Sequence, residues 1–73
     1  MNLNQYKVTE IIYPDSKYKL AHPAGIDDEG SFYRIAGTYI IDKYRIKSMS
    51  LNGDKLVIHL NDEDVILTVT EKK

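Results

Sequence analysis

The sequence predicts an all-β domain of five to six short, mostly antiparallel strands. Three observations carry that expectation. From Lys55 onward, apolar and polar residues alternate with period two, as in a half-buried strand. An Asn52-Gly53 pair separates two strand-like runs, and that dipeptide is the strongest short-range hairpin signal. β-Branched and aromatic residues recur in short runs between turn residues, and no segment reads as a convincing helix.

The chain has 73 residues and no cysteine. It is read as one small β domain over residues 1–73, with residues 1–5 and 71–73 expected to fray. A domain of this size buries only about 60% of the surface its unfolded chain exposes. Disulfides and thiolate zinc sites are excluded as staples, and two histidines are too few for an all-histidine site. No metal or cofactor is expected. Strand packing, a partner or self-association must supply the stability, so a homo-oligomer is one expectation.

Tyr6 to Tyr13 reads as the first strand and ends at Pro14-Asp15. Alternation puts Tyr6, Val8 and Ile12 on one face and Lys7, Thr9 and Ile11 on the other. Glu10 then falls on the apolar side, which calls for a bulge near Glu10-Ile11 or an edge position. Ser16 to Ala21 reads as a second strand, ended by Pro23 because proline donates nothing to a ladder. Pro23 to Gly30 reads as a loop of about eight residues, longer than most hairpin connections. Ser31 to Ile41 is expected as two segments kinked at Gly37. A short helical turn over Tyr39 to Tyr44 is the alternative for its end.

Tyr44 to Leu51 is the next strand. A type I′ turn at Asn52-Gly53 is expected to hold both residues at positive φ. Leu56, Ile58 and Leu60 then point inward, and a second turn at Asn61 to Asp64 leads to Val65, Leu67 and Val69. These runs make a C-terminal three-strand meander. The whole is expected to close as a small SH3-like or OB-like barrel or a curled sheet.

The formal charge is −1, from 10 basic and 11 acidic residues, which does not favour long-range steering toward nucleic acid or anionic lipid. No apolar run approaches the roughly 18 residues of a membrane span, and no signal-peptide pattern opens the chain. A cytoplasmic location is expected. Residues with AT-rich codons (Phe, Tyr, Met, Ile, Asn, Lys) outnumber those with GC-rich codons. That bias points to a low-GC bacterium or one of its phages, so the expected cytoplasm is that of a bacterium or of a phage-infected host.

Four groups are candidates for function. Asp27-Asp28-Glu29 lies in a glycine-flanked segment, but consecutive acids diverge and do not match a calcium loop, so an acidic tip for a basic partner is the better use. Asp62-Glu63-Asp64 is explained by turn chemistry. If both tips lie on one side, they resemble part of a phosphate array. His22 and His59 have no serine, cysteine or acid at a spacing that implies a charge relay. Six tyrosines and one phenylalanine remain. Most are expected to roof the core, with one of Phe32 and Tyr33 outside because strand neighbours alternate. Arg34, Lys43, Arg45 and Lys47 form the main basic group, and with an outward Tyr33 or Tyr39 nearby they make a candidate basic-aromatic platform. Arg45 and Lys47 are placed on one face of one strand.

These features predict a small non-enzymatic protein-binding module, of the inhibitor or adaptor kind found in bacteria and phages, that occludes a partner's surface. Its expected contact residues are Asp27, Asp28, Glu29, Tyr33, Arg34, Tyr39, Tyr44, Arg45 and Lys47. The alternative is a nucleic-acid-binding small barrel that uses the basic-aromatic face.

Overall fold

A computed structural model describes residues 3–71. They form seven strands: β1 (Tyr6–Ile12), β2 (Lys17–Asp28), β3 (Phe32–Ile35), β4 (Tyr39–Asp42), β5 (Ile46–Asn52), β6 (Lys55–Leu60) and β7 (Asp64–Glu71). Short 3-10 turns occupy Leu3–Gln5 and Lys43–Arg45. The all-β class is as expected, with one or two strands more than the sequence reading allows. All pairings are antiparallel, in the order β4-β3-β2-β1-β7-β6-β5. Strands β4 and β5 are therefore opposite edges of one sheet, yet only Lys43–Arg45 joins them. Three residues cannot bridge a flat seven-stranded sheet, whose neighbours lie about 4.8 Å apart. The sheet is curled into a half-barrel, with its two edges drawn together at that turn.

The concave side is filled by aliphatic residues. Val8, Ile35, Ile41, Leu56, Ile58, Val65 and Leu67 are fully buried, and Leu3, Ile11, Ile26, Leu60 and Val69 nearly so. The alternation in β6 and β7 is as the sequence predicts: Leu56, Ile58 and Leu60 meet Val65, Leu67 and Val69 inside. Tyr6, Tyr13, Tyr33 and Tyr39 are half-buried against this core, so most rings do roof it.

The first strand bulges one residue before the expected place. The register shifts between Val8 and Glu10 against both neighbours, which leaves Thr9 as the extra residue. Thr9 Oγ1 donates to the Thr68 carbonyl at 3.3 Å. The bulge turns both Val8 and Ile11 inward, three residues apart, and leaves Glu10 and Ile12 outside. Ile11 and Ile12 thus exchange the faces that simple alternation assigns them. Glu10 accepts a hydrogen bond from Thr68 Oγ1 at 3.1 Å across the outer face.

The expected stop at Pro23 and the loop that follows are overturned. Strand β2 runs through Pro23 to Asp28. Opposite Thr9, four residues of β2 (Leu20, Ala21, His22 and Pro23) lie between the paired Lys19 and Ala24. Pro23 sits in this unpaired excursion, where no ladder bond asks for its missing N–H. Strand β2 also changes partner: Lys17 to Lys19, Ala24 and Gly25 pair with β1, and Ile26 to Asp28 pair with β3.

Two turns also differ. The expected kink at Gly37 is a tight hairpin that pairs Ile35 with Tyr39, with Ala36 and Gly37 at φ 55° and 75°. At the second hairpin Asn52 stays in the strand and pairs with Lys55. Gly53 alone has positive φ, 61°, so the turn residues are Gly53-Asp54 in the manner of type II′. The frayed ends are revised as well. Leu3 is 4% exposed and belongs to the core, and Glu71 pairs with Tyr6; residues 1, 2, 72 and 73 lie outside the described range. Among the described residues no helix is long and apolar enough to cross a membrane.

Candidate interaction surface

The turn that joins the two sheet edges organises the charged side chains. Lys43–Arg45 replaces the start of the strand expected from Tyr44, so Arg45 and Lys47 do not share a strand face. The turn is held by backbone on both sides. The Lys43 N–H donates to the Ser31 carbonyl at 3.0 Å, and the Asn61 N–H donates to the Arg45 carbonyl at 3.1 Å. Its side chains then reach the two acidic turns. Lys43 Nζ donates to Asp28 Oδ1 at 2.8 Å and lies 4.8 Å from the centre of the Tyr33 ring. The Arg45 guanidinium lies 3.4 Å from Asp62 Oδ1 and 3.9 Å from Glu63 Oε1. Both acidic tips therefore flank one turn, at one end of the domain.

Between those two cations stands Tyr44, 81% exposed, well ahead of Tyr18 at 59%. Its neighbours in sequence are held from both sides while its ring is left in water. The Asp28 carboxyl is held below the usual carboxylate range by the Lys43 hydrogen bond first and the Gly30 N–H second, with desolvation opposing. Lys43 is raised in turn by the same hydrogen bond. Asp28 Oδ1 also accepts the Gly30 N–H at 2.9 Å, which fixes the turn between β2 and β3.

Of the expected contact residues, Asp28, Glu29, Tyr33, Arg34, Tyr44 and Arg45 come together around this end. Arg34 Nη1 donates to Glu29 Oε2 at 2.6 Å, and its guanidinium lies 5.6 Å from the centre of the Phe32 ring on the outer face. Asp27 is exposed opposite Arg34 in the ladder. Tyr33 packs against the core, and Phe32 lies half-buried on the outer face, so one ring of that pair is outside as expected. Lys47 is exposed at a register break of edge strand β5, two residues past Arg45.

Tyr39 belongs to a different feature. It packs edge-on to Tyr13, with ring centroids 5.4 Å apart at 87°. Together with Tyr18 and Leu20 these rings line a hollow of about 290 Å³. Burial raises the phenol of Tyr39, with Tyr13 and Glu63 adding to the shift, and burial with Tyr18 raises that of Tyr13. A larger open groove of about 670 Å³ runs past Tyr13 and Pro14 to Asp62, Glu63 and Asp64.

The sequence points to Lys43 as a member of the basic group and to Asp62-Glu63-Asp64 as a second acidic tip, but not to the ion pairs that join them at this end. Those of Lys43 and Asp62 span 15 and 17 residues and follow no local spacing. The sequence reading also misses a row on the convex face. The ladder sets Ser48 and Asp64 on either side of His59, and His59 Nδ1 lies 3.0 Å from Asp64 Oδ1. The order matches a charge relay, but Ser48 makes no hydrogen bond to the imidazole and both His59 and Asp64 are exposed. Among the described residues no three of His, Asp and Glu gather as a metal-binding group.

Comparison with protein-family models, with curated proteins and with solved structures returns no match.

Proposed function

We propose that this domain is a non-enzymatic protein-binding module, of the inhibitor or adaptor kind, that engages its partner through the Tyr44 end. The observation that carries this reading is the Tyr44 ring, 81% exposed at the centre of a turn whose backbone and flanking side chains are fixed. Tyrosine is enriched at interface centres because it brings a broad apolar face and a polar tip at low entropic cost. A turn held before binding loses little further freedom on binding. The ion pairs of Lys43 with Asp28 and of Arg45 with Asp62 would form the polar rim.

The nucleic-acid reading draws less support from the same geometry. A phosphate-binding platform needs free cations. Here Arg34, Lys43 and Arg45 each face a carboxylate, which leaves a single lysine, Lys47, of the expected basic group. The Ser48-His59-Asp64 row lacks the water-excluded setting that makes such a relay effective.

The test is a photo-crosslinking amino acid placed at position 44, with position 57 on the convex face as control. A discrete protein adduct in cells of the source organism is expected from position 44 alone, and Tyr44→Ala should weaken that partner's binding at least tenfold. Equal labelling from both positions, or adducts to nucleic acid, would reject the proposal.

A further inference from the structure

Edge strands expose backbone N–H and C=O groups that template another strand, and proteins usually blunt them with short length, charge, proline or a bulge. The two edges of this sheet differ in that respect. Strand β4 has four residues and ends at Asp42. Strand β5 has seven residues, with its bulge and its one charge, Lys47, both near the start. From Ser48 to Asn52 the edge carries no charge, no proline and no register break. On that run Met49 and Leu51 face the concave side, opposite the buried Ile58 and Leu56. Ser48, Ser50 and Asn52 face the convex side, opposite His59, Val57 and Lys55. Leu51 stands 38% exposed for want of a neighbour.

We infer that β5 pairs antiparallel with β5 of a second copy of this chain, about a two-fold axis at Ser50. This goes beyond the proposed function and does not depend on it. The occupant follows from self-complementarity. The uncharged run Ser48 to Asn52 has its midpoint at Ser50. Residues directly opposite must face the same side of the sheet, so the axis falls on a residue and not between two. With the axis at Ser50, Met49 meets Leu51 of the second copy twice on the concave side, which covers the exposed leucine. Ser48 meets Asn52 on the convex side, and the two Ser50 side chains face each other as small hydroxyl groups. Lys47 falls beside the Gly53-Asp54 turn of the second copy, next to a carboxylate and not another cation. A five-residue strand contact belongs to the small-interface class, so the dimer forms and dissociates with concentration.

Sedimentation equilibrium of the full chain from micromolar to millimolar concentration tests this. The mass should rise from the 8.4 kDa of one chain toward twice that value. Ser50→Lys sets two ammonium groups across the axis at an exposed position and should weaken association at least tenfold, with unchanged circular dichroism. Because the chain has no cysteine, Ser50→Cys supplies a single thiol on the axis. Under mild oxidation it should form a disulfide-linked dimer at least tenfold faster than Ser16→Cys at an exposed turn. A mass that stays at one chain throughout overturns the inference. So does a doubled mass that Ser50→Lys leaves intact, or equal cross-linking by the two cysteine variants.

Discussion

Asp28 shows how one exposed side chain ties distant segments together. It accepts hydrogen bonds from Lys43 Nζ and from the Gly30 N–H, and both favour its charged form. Its folded pKa lies below the ordinary 3.8, so its contribution to stability is present above that value and is lost as pH falls through the lowered one. Lys43 is raised above 10.5, so its share is present below that value and is lost as pH rises through the raised one. The pair therefore supports the fold across the whole neutral range and fades at both extremes. Thermal melts followed by circular dichroism from pH 6 to pH 2 should show a falling midpoint for the natural chain and a shallower fall for Asp28→Asn. An acid limb of equal slope in both would mean that the Lys43 contact contributes nothing. The effect belongs to a solvent-screened pair and is correspondingly small.

At the scale of elements, the Gly53-Asp54 turn separates what a dipeptide signals from what it does. The sequence marks the hairpin at Asn52-Gly53, and a hairpin is there, but its centre lies one residue later. Only Gly53 needs positive φ, and a Cβ built there meets nothing within 4 Å. Gly53→Ala should thus cost about 1 kcal/mol through backbone conformation alone. Asn52→Ala, on an exposed strand residue, should stay within about 0.5 kcal/mol. Urea unfolding of both variants checks this; comparable losses from the two would restore the type I′ arrangement. The strands after Tyr44 were legible because one face is buried and period two fixes which residues turn inward. The second half of strand β2 was not, because Pro23, Gly25 and the acids are turn-forming types whose local preference is overridden. The excursion opposite Thr9 removes the proline's ladder cost, and β3 pairs with the acidic stretch that follows. Such long-range pairing leaves no periodic mark on the sequence.

At the scale of the molecule, a single layer of aliphatic side chains carries the fold. Leu67 is fully buried on β7, between β1 and β6. Leu67→Ala should cost about 3 kcal/mol, within the range for buried leucines. That is a large fraction of the stability available to so small a domain. Chemical denaturation should show a midpoint far below that of Ile66→Ala, whose side chain is on the half-exposed outer face; equal midpoints would place the core elsewhere. The candidate surface was half legible. Exposed tyrosine and clustered charge could be seen from composition, whereas the neutralisation of each cation by a carboxylate could not, since it needs the curled sheet to bring the β2–β3 and β6–β7 turns to one end. The same curl has a consequence for synthesis. Strand β1, near the start of the chain, pairs on one side with β2 and on the other with β7, close to its end. A nascent chain leaving the ribosome can form β1 to β4 by neighbouring hairpins, but one side of β1 stays open until β7 emerges. Every earlier intermediate carries a bare central strand, so completion of the sheet waits on its most distant pairing.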